Sequence, residues 1–110
     1  MIEVDCQISI NKSGSCFLDP VKTELLQEII KSGSLRAAAI QLKISYQHAW
    51  NMIDEMNRVA PEPMIIKHRG GLKGGGTEIS AYGQRILKEY KQIEAMIMKM
   101  VSQINAEINL

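Results

Sequence analysis

The stretch SGSLRAAAIQLKISYQHAWNMIDEMN, residues 32–57, decides how the rest of the chain is read. It holds two helical patterns with almost nothing between them. Ser34 can cap the first, whose Ala37, Ala38 and Ala39 permit a close helix crossing. That helix runs through Leu42, with Ala38 and Leu42 facing inward. Ile44 plugs a tight turn, and Ser45 caps a second helix running to about Val59, which Pro61 and Pro63 end. Ala49, Ile53 and Met56 lie on it at i, i+4 and i+7, forming one packed stripe, and the small Ala49 lets its neighbour approach. Two helices joined by so short a turn predict a helix–turn–helix.

The flanks extend the pattern. Residues 2–9 alternate, with Ile2, Val4, Cys6 and Ile8 on one face, and predict a half-buried strand. Asn11-Lys12-Ser13-Gly14 is turn chemistry, and 15–18 return as a second strand. Asp19-Pro20 opens a helix carrying Val21, Leu25, Leu26, Ile29 and Ile30 to Lys31, and Gly33 stops it. Downstream, 64–69 and 77–80 read as two strands around HRGGLKGGG, residues 68–76. A phosphate-cradling enzyme loop would need GxxxxGK[ST] leading into a helix. This glycine stretch ends without that lysine–threonine pair and leads into a strand. It reads as the tip of a hairpin, where glycines tolerate positive φ and allow close approach to a sugar–phosphate backbone.

Bulk properties exclude several classes. The chain has 110 residues, 45% apolar and 23% charged, as expected of one globular domain. There is no apolar run long enough to span a membrane and no basic–apolar leader, so the expected location is cytoplasmic. Cys6 and Cys16 are read as free thiols in or near the small sheet, and their spacing fits no metal site. A net charge of +1 announces no nucleic-acid partner, so any such reading rests on local charge. No catalytic constellation is present, and no cofactor, metal or enzymatic activity is expected.

The segments SGS (32–34), ISYQHAWNMIDEMN (44–57), GGLKGGG (70–76) and YGQRILKEY (82–90), with LDP (18–20), carry a resemblance across most of residues 17–92. The chain resembles the N-terminal DNA-binding domain of the molybdate-responsive ModE-type regulators of bacteria, distant relatives of LysR-type winged helices. The resemblance implies DNA binding and dimerisation. Full-length members carry C-terminal oxyanion-binding domains, and the chain stops before one could begin. Molybdate sensing is therefore not carried over, and no small-molecule effector site is expected.

In such a fold the outward end of the third helix reaches the major groove, where Gln or Asn can pair with adenine and Ser or Tyr with phosphate. Ser45, Tyr46, Gln47 and Asn51 occupy that end, against the plainer reading of a solvated helix face. His48 can face either DNA or solvent. Trp50 is read as a seal between its helix and the wing or first helix, with base contact as the alternative. Lys67, Arg69 and Lys73 are the local positive charge, read as phosphate ligands at the base and tip of the wing.

The last helix places Ile86, Tyr90, Ile93, Ile97, Met100 and Ile104 at spacings of four and three, an a/d seam over about three heptads. Some thirty helical residues extend ~45 Å, too far for so small a domain to cover, and a second copy is the simplest partner. The expected fold is mainly α with a small β component. It is a winged helix–turn–helix in a single domain, 1–110: helix–turn–helix about 34–59, wing about 64–80, and a long C-terminal dimerisation helix about 81–110. The expected function is sequence-specific binding of double-stranded DNA as a homodimeric transcriptional regulator. The rival is an interaction module that heterodimerises with a related regulator and modulates its DNA binding.

Overall fold

The structure, a computed structural model, describes residues 2–68 and 76–110. In chain order its elements are β1 (Ile10–Lys12), β2 (Ser15–Leu18), α1 (Pro20–Ser32), α2 (Leu35–Leu42), α3 (Tyr46–Val59), β3 (Ile65–Lys67), β4 (Thr77–Ile79) and α4 (Ala81–Glu107). β1 pairs antiparallel with β2, and β3 with β4, as two separate two-stranded sheets. The fold is α-dominant with the order of a winged helix–turn–helix and a long C-terminal helix, as the sequence predicts.

The helix boundaries follow from their caps. Asp19 accepts from the Lys22 amide at 2.8 Å ahead of Pro20. Gly33 ends α1 in the left-handed region (φ 67°), its amide donating to the Ile29 carbonyl at 2.7 Å. Ser34 accepts from the Ala37 amide and Ser45 from the His48 amide, each satisfying a first-turn donor that would otherwise lack a partner. Between α2 and α3 the Ile44 amide donates back to the Ala39 carbonyl at 3.0 Å. Ala38, Ala49, Ile53 and Met56 are buried there, and Leu42 and Ile44 are half-buried against them.

Two expectations are corrected. Residues 2–9 form no strand: Ile2 is 71% exposed, Cys6 is exposed, and of the four alternating residues only Ile8 is buried. The hairpin sits further along, turning at Ser13 and Gly14, both with positive φ (51° and 81°), so that Lys12 faces Ser15. That two-residue geometry matches the twist of the flanking strands, and it places Asn11 and Lys12 in β1 instead of the turn. On α1 the buried face includes Lys22 and Thr23, while Val21 and Ile30 are exposed. The Lys22 ammonium is buried because it has partners: it pairs with Glu55 of α3 and donates to the Cys16 carbonyl at 2.8 Å.

The N-terminal segment is tied to α4 instead of to a sheet. The Asn105 side-chain amide accepts from the Val4 amide at 2.6 Å and donates to the Val4 carbonyl at 2.9 Å. Tyr90, fully buried, donates its hydroxyl to the Ile8 carbonyl at 2.8 Å. Burial pushes the Tyr90 phenol above its ordinary pKa, and the nearby carboxylates of Glu94 and Asp19 push the same way.

At its start α4 approaches the wing closely. Ser80 caps the helix by accepting from the Gly83 amide, while its own amide and hydroxyl donate to the Met64 and Pro63 carbonyls. A Cβ at Gly83 would collide with the Met64 carbonyl oxygen and come within 2.8 Å of Ile79 Cγ2. Alanine ordinarily favours a helix interior over glycine by about 0.5–1 kcal/mol. Here overpacking, about 1–3 kcal/mol, outweighs it. Gly83→Ala is expected to destabilise the chain in urea denaturation. An unchanged or raised midpoint would mean that α4 and the wing base are not in tight contact.

Candidate nucleic-acid interface

The exposed end of α3 carries Ser45, Tyr46, Gln47, His48 and Asn51. Ser45 uses its hydroxyl as the helix cap. Gln47 donates from Nε2 to Asn51 Oδ1 at 2.9 Å, one helical turn away. The bond consumes one donor of Gln47 and one acceptor lone pair of Asn51. The Gln47 carbonyl oxygen and the Asn51 amino group remain, a neighbouring acceptor and donor on an exposed surface.

Beside this end lies a cleft of about 670 Å³ whose walls include the cap Ser34, Arg36 of α2, Tyr46 and Trp50 of α3, and Lys67 and Thr77 of the wing. The Arg36 guanidinium stands 5.0 Å from the Tyr46 ring centroid. Lys67 Nζ lies 5.8 Å from the same centroid and 3.2 Å from that of Trp50. Each such stack contributes about 0.5–2 kcal/mol, enough to hold a long side chain in one place. Trp50 is half-buried against the core, so packing accounts for one of its faces and Lys67 for another. Arg36 was not singled out in the sequence. The signal available was a cation two residues after the Ser34 cap, on the helix that precedes Tyr46. Arg69 and Lys73 fall outside the described residues.

Asn57 of α3 hydrogen-bonds the backbone at the base of the wing. Asn57 Oδ1 accepts from the Met64 amide at 2.8 Å and the Ile65 amide at 3.2 Å, and its Nδ2 donates to the Ile65 carbonyl at 3.2 Å. From there β3 pairs with β4 in the register Ile65↔Ile79, Ile66↔Glu78, Lys67↔Thr77. The Thr77 amide donates to the Gly33 carbonyl at 3.1 Å, tying the return strand to the α1–α2 turn. At the far end of the ladder His68 Nε2 lies 2.8 Å from Glu78 Oε2.

The expected seam on α4 divides. Tyr90 is committed to the core of its own chain, and Ile86 and Ile97 are half-buried against that core. Ile93 (39%), Met96 (74%) and Met100 (61%) are exposed, and Ile104 is half-exposed. At 100° per residue Ile86, Ile93, Ile97, Met100 and Ile104 fall within one narrow stripe, adjacent to the face that Tyr90 buries. Among the described residues no three His, Cys, Asp or Glu side chains are grouped to hold a metal ion, and no helix is long and apolar enough to cross a membrane.

A polar helix end set beside a hairpin across a cationic cleft, on an α-dominant frame, defines the class: a winged helix–turn–helix. No family model matches the chain. It is 35% identical over 94 residues to the transcriptional regulator ModE of Haemophilus influenzae, covering 86% of this chain and 37% of that protein. It is 33% identical over 103 residues to the molybdenum transport protein ModE of Azotobacter vinelandii, covering 94% and 38%. The DNA-binding transcriptional dual regulator ModE of Escherichia coli K12 is 33% identical over 89 residues, 81% and 34%. The chain thus belongs to the ModE-type regulators as a ModE-like domain, spanning a little over a third of the length of these relatives.

Asn57→Leu keeps the branched outline of the side chain but leaves the Met64 and Ile65 amides without their acceptor. A buried donor without a partner costs about 1–3 kcal/mol, so a loss of about 2 kcal/mol is expected in chemical denaturation, with the Ile65 and Lys67 amides exchanging faster than those of α3. Uniform exchange across both elements would mean that Asn57 is not what joins them.

Proposed function

We propose that the chain binds double-stranded DNA in the cytoplasm as a transcriptional regulator, with the N-terminal end of α3 in the major groove and the wing on the flanking backbone. The observation that carries this reading is the pairing of Gln47 with Asn51. The remaining Gln47 acceptor and Asn51 donor complement the N6 donor and N7 acceptor of an adenine edge. Ser45 and Tyr46 lie where phosphate contacts accompany such readout, and Lys67 adds positive charge from the wing base; Arg69 and Lys73 extend it on the sequence reading. The names of the relatives, two of them called transcriptional regulators, support the same role.

We also propose that the active form is a homodimer joined along α4. At 27 residues α4 is ~40 Å long, and the stripe of Ile86, Ile93, Ile97, Met100 and Ile104, flanked by Met96, continues past the part of the helix that the rest of the chain buries. A heptad-spaced stripe is complementary to a second copy of itself. Two subunits then present two recognition helices to half-sites about one helical turn apart.

Fluorescence anisotropy with labelled duplexes, after selection from a random pool, tests the first part. Gln47→Ala and Asn51→Ala are each expected to cost about 1–3 kcal/mol at particular base pairs. Losses spread evenly over all sequences would remove these residues from base reading. The double variant Ile93→Asp/Met100→Asp alters exposed positions and so leaves the helix content intact. It is expected to be monomeric by light scattering and to bind selected duplex at least a hundredfold more weakly. A dimer of unchanged mass would exclude α4 as its interface.

A further inference from the structure

Cations sit against aromatic rings in two regions of the described chain, and the two regions differ. On α4, Arg85 lies 5.3 Å from the Tyr82 centroid and is neutralised by Glu89 at 3.6 Å. In the cleft, Arg36 and Lys67 share the Tyr46 ring, Lys67 also covers Trp50, and neither has a carboxylate partner among the described residues. Other unpaired lysines and arginines, such as Lys43 and Arg58, stack on no ring there and project as ordinary surface charges. Glu55 pairs with Lys22, and Glu78 with His68, which itself lines the cleft. The cleft therefore holds two positive charges that no carboxylate pairs with among the described residues.

We infer that this cleft is a clamp for the sugar–phosphate backbone of one DNA strand, in which Arg36 of α2 and Lys67 of β3 bind phosphates from opposite walls while Tyr46 and Trp50 hold the two cations in place. The inference rests on the DNA-binding reading above and adds to it a backbone subsite that includes Arg36. An aromatic face orients a cation without neutralising it, since the ring carries no net charge. Both side chains thus remain available to a phosphodiester, which offers charge-assisted hydrogen bonds that a ring cannot. Arg36 presents a planar fork suited to two phosphate oxygens, and Lys67 a single mobile charge. The cleft joins α2, α3 and the wing, so a strand held in it fixes the depth at which Gln47 and Asn51 meet the bases. Contacts of this kind carry no sequence information and set register alone.

Trp50 is the only tryptophan in the chain, and its emission reports whether Lys67 is on the ring. The test is a set of duplex titrations at several salt concentrations, read by anisotropy and by Trp50 fluorescence. It uses the full chain, Arg36→Ala, Lys67→Ala, Lys67→Met and, as a comparator, Arg85→Ala. Lys67→Met keeps the aliphatic stem on Trp50 and guards against a loss that merely reports disturbed packing. Each cleft variant is expected to lower the slope of log affinity against log salt by roughly one. Each should also weaken binding about tenfold at 0.1 M salt, alike on selected and random duplexes. Duplex should change Trp50 emission in the full chain and much less in Lys67→Met, and Arg85→Ala should behave as the full chain does. If the full chain binds duplex while the cleft variants keep its slope and its emission change, the clamp is wrong and DNA binding stands. If the full chain binds no duplex at all, the DNA-binding reading fails and the clamp fails with it.

Discussion

The three hydrogen bonds of the Asn57 side chain are the constraint on which the functional face depends. A recognition helix and a wing are useful only at a fixed separation, and β3 is too short, at three residues, to set its own position. Asn57 sets it by acting as a surrogate strand edge: one amide group pairs with the backbone of Met64 and Ile65 as a neighbouring strand would. Lys67 lies two residues beyond that anchor, and its placement over Trp50 follows. Ser80 and the missing Cβ of Gly83 hold the same few residues from the α4 side.

The rotation of α3 about its axis is fixed by a contrast of faces. Ala49, Ile53 and Met56 point into the core, with Glu55 at the edge of that face reaching the buried ammonium of Lys22. Glu55 keeps partial access to water, so this pair contributes less net stability than its closeness suggests. Its value lies in orientation. A rotation of α3 by one residue would turn part of the Ala49–Ile53–Met56 stripe out of the core, strand Lys22 without its counter-ion and bury Asn51, and all three effects oppose it. Gln47 and Asn51 are outward because the alternatives are worse.

Much of the architecture was legible because it is written in local chemistry. Ser34, Ser45, Asp19 and Gly33 mark helix ends by hydrogen bonds made within three or four residues, and every one of those ends lies where its cap predicts. The alternation of residues 2–9 misled because period two marks a strand only when an edge is available, and the first pairing partner goes to Ile10–Lys12 instead. Tyr90 satisfied the heptad spacing, yet a neighbouring stripe of α4 is the one its own chain covers, and one position belongs to both. Arg36 and the bonds of Asn57 are contacts between elements distant in sequence or made by a side chain to backbone, and no periodicity encodes them. The candidate face at Ser45, Tyr46, Gln47 and Asn51 was legible from its place on a capped helix, whereas the cleft beside it required the wing to be positioned first.

On the proposed reading, duplex DNA meets the chain at the end of α3 and the wing base, and not along α4. Amide chemical-shift mapping of the ¹⁵N-labelled chain against a short duplex tests it most directly, residue by residue and without a selected operator. Shifts are expected to concentrate at residues 34–36, 45–51 and 65–68, graded by salt, with residues 93–104 unmoved. Shifts confined to residues 93–104, or none at a duplex concentration well above that needed for non-specific binding, about 10⁻⁴ M at most, would contradict it.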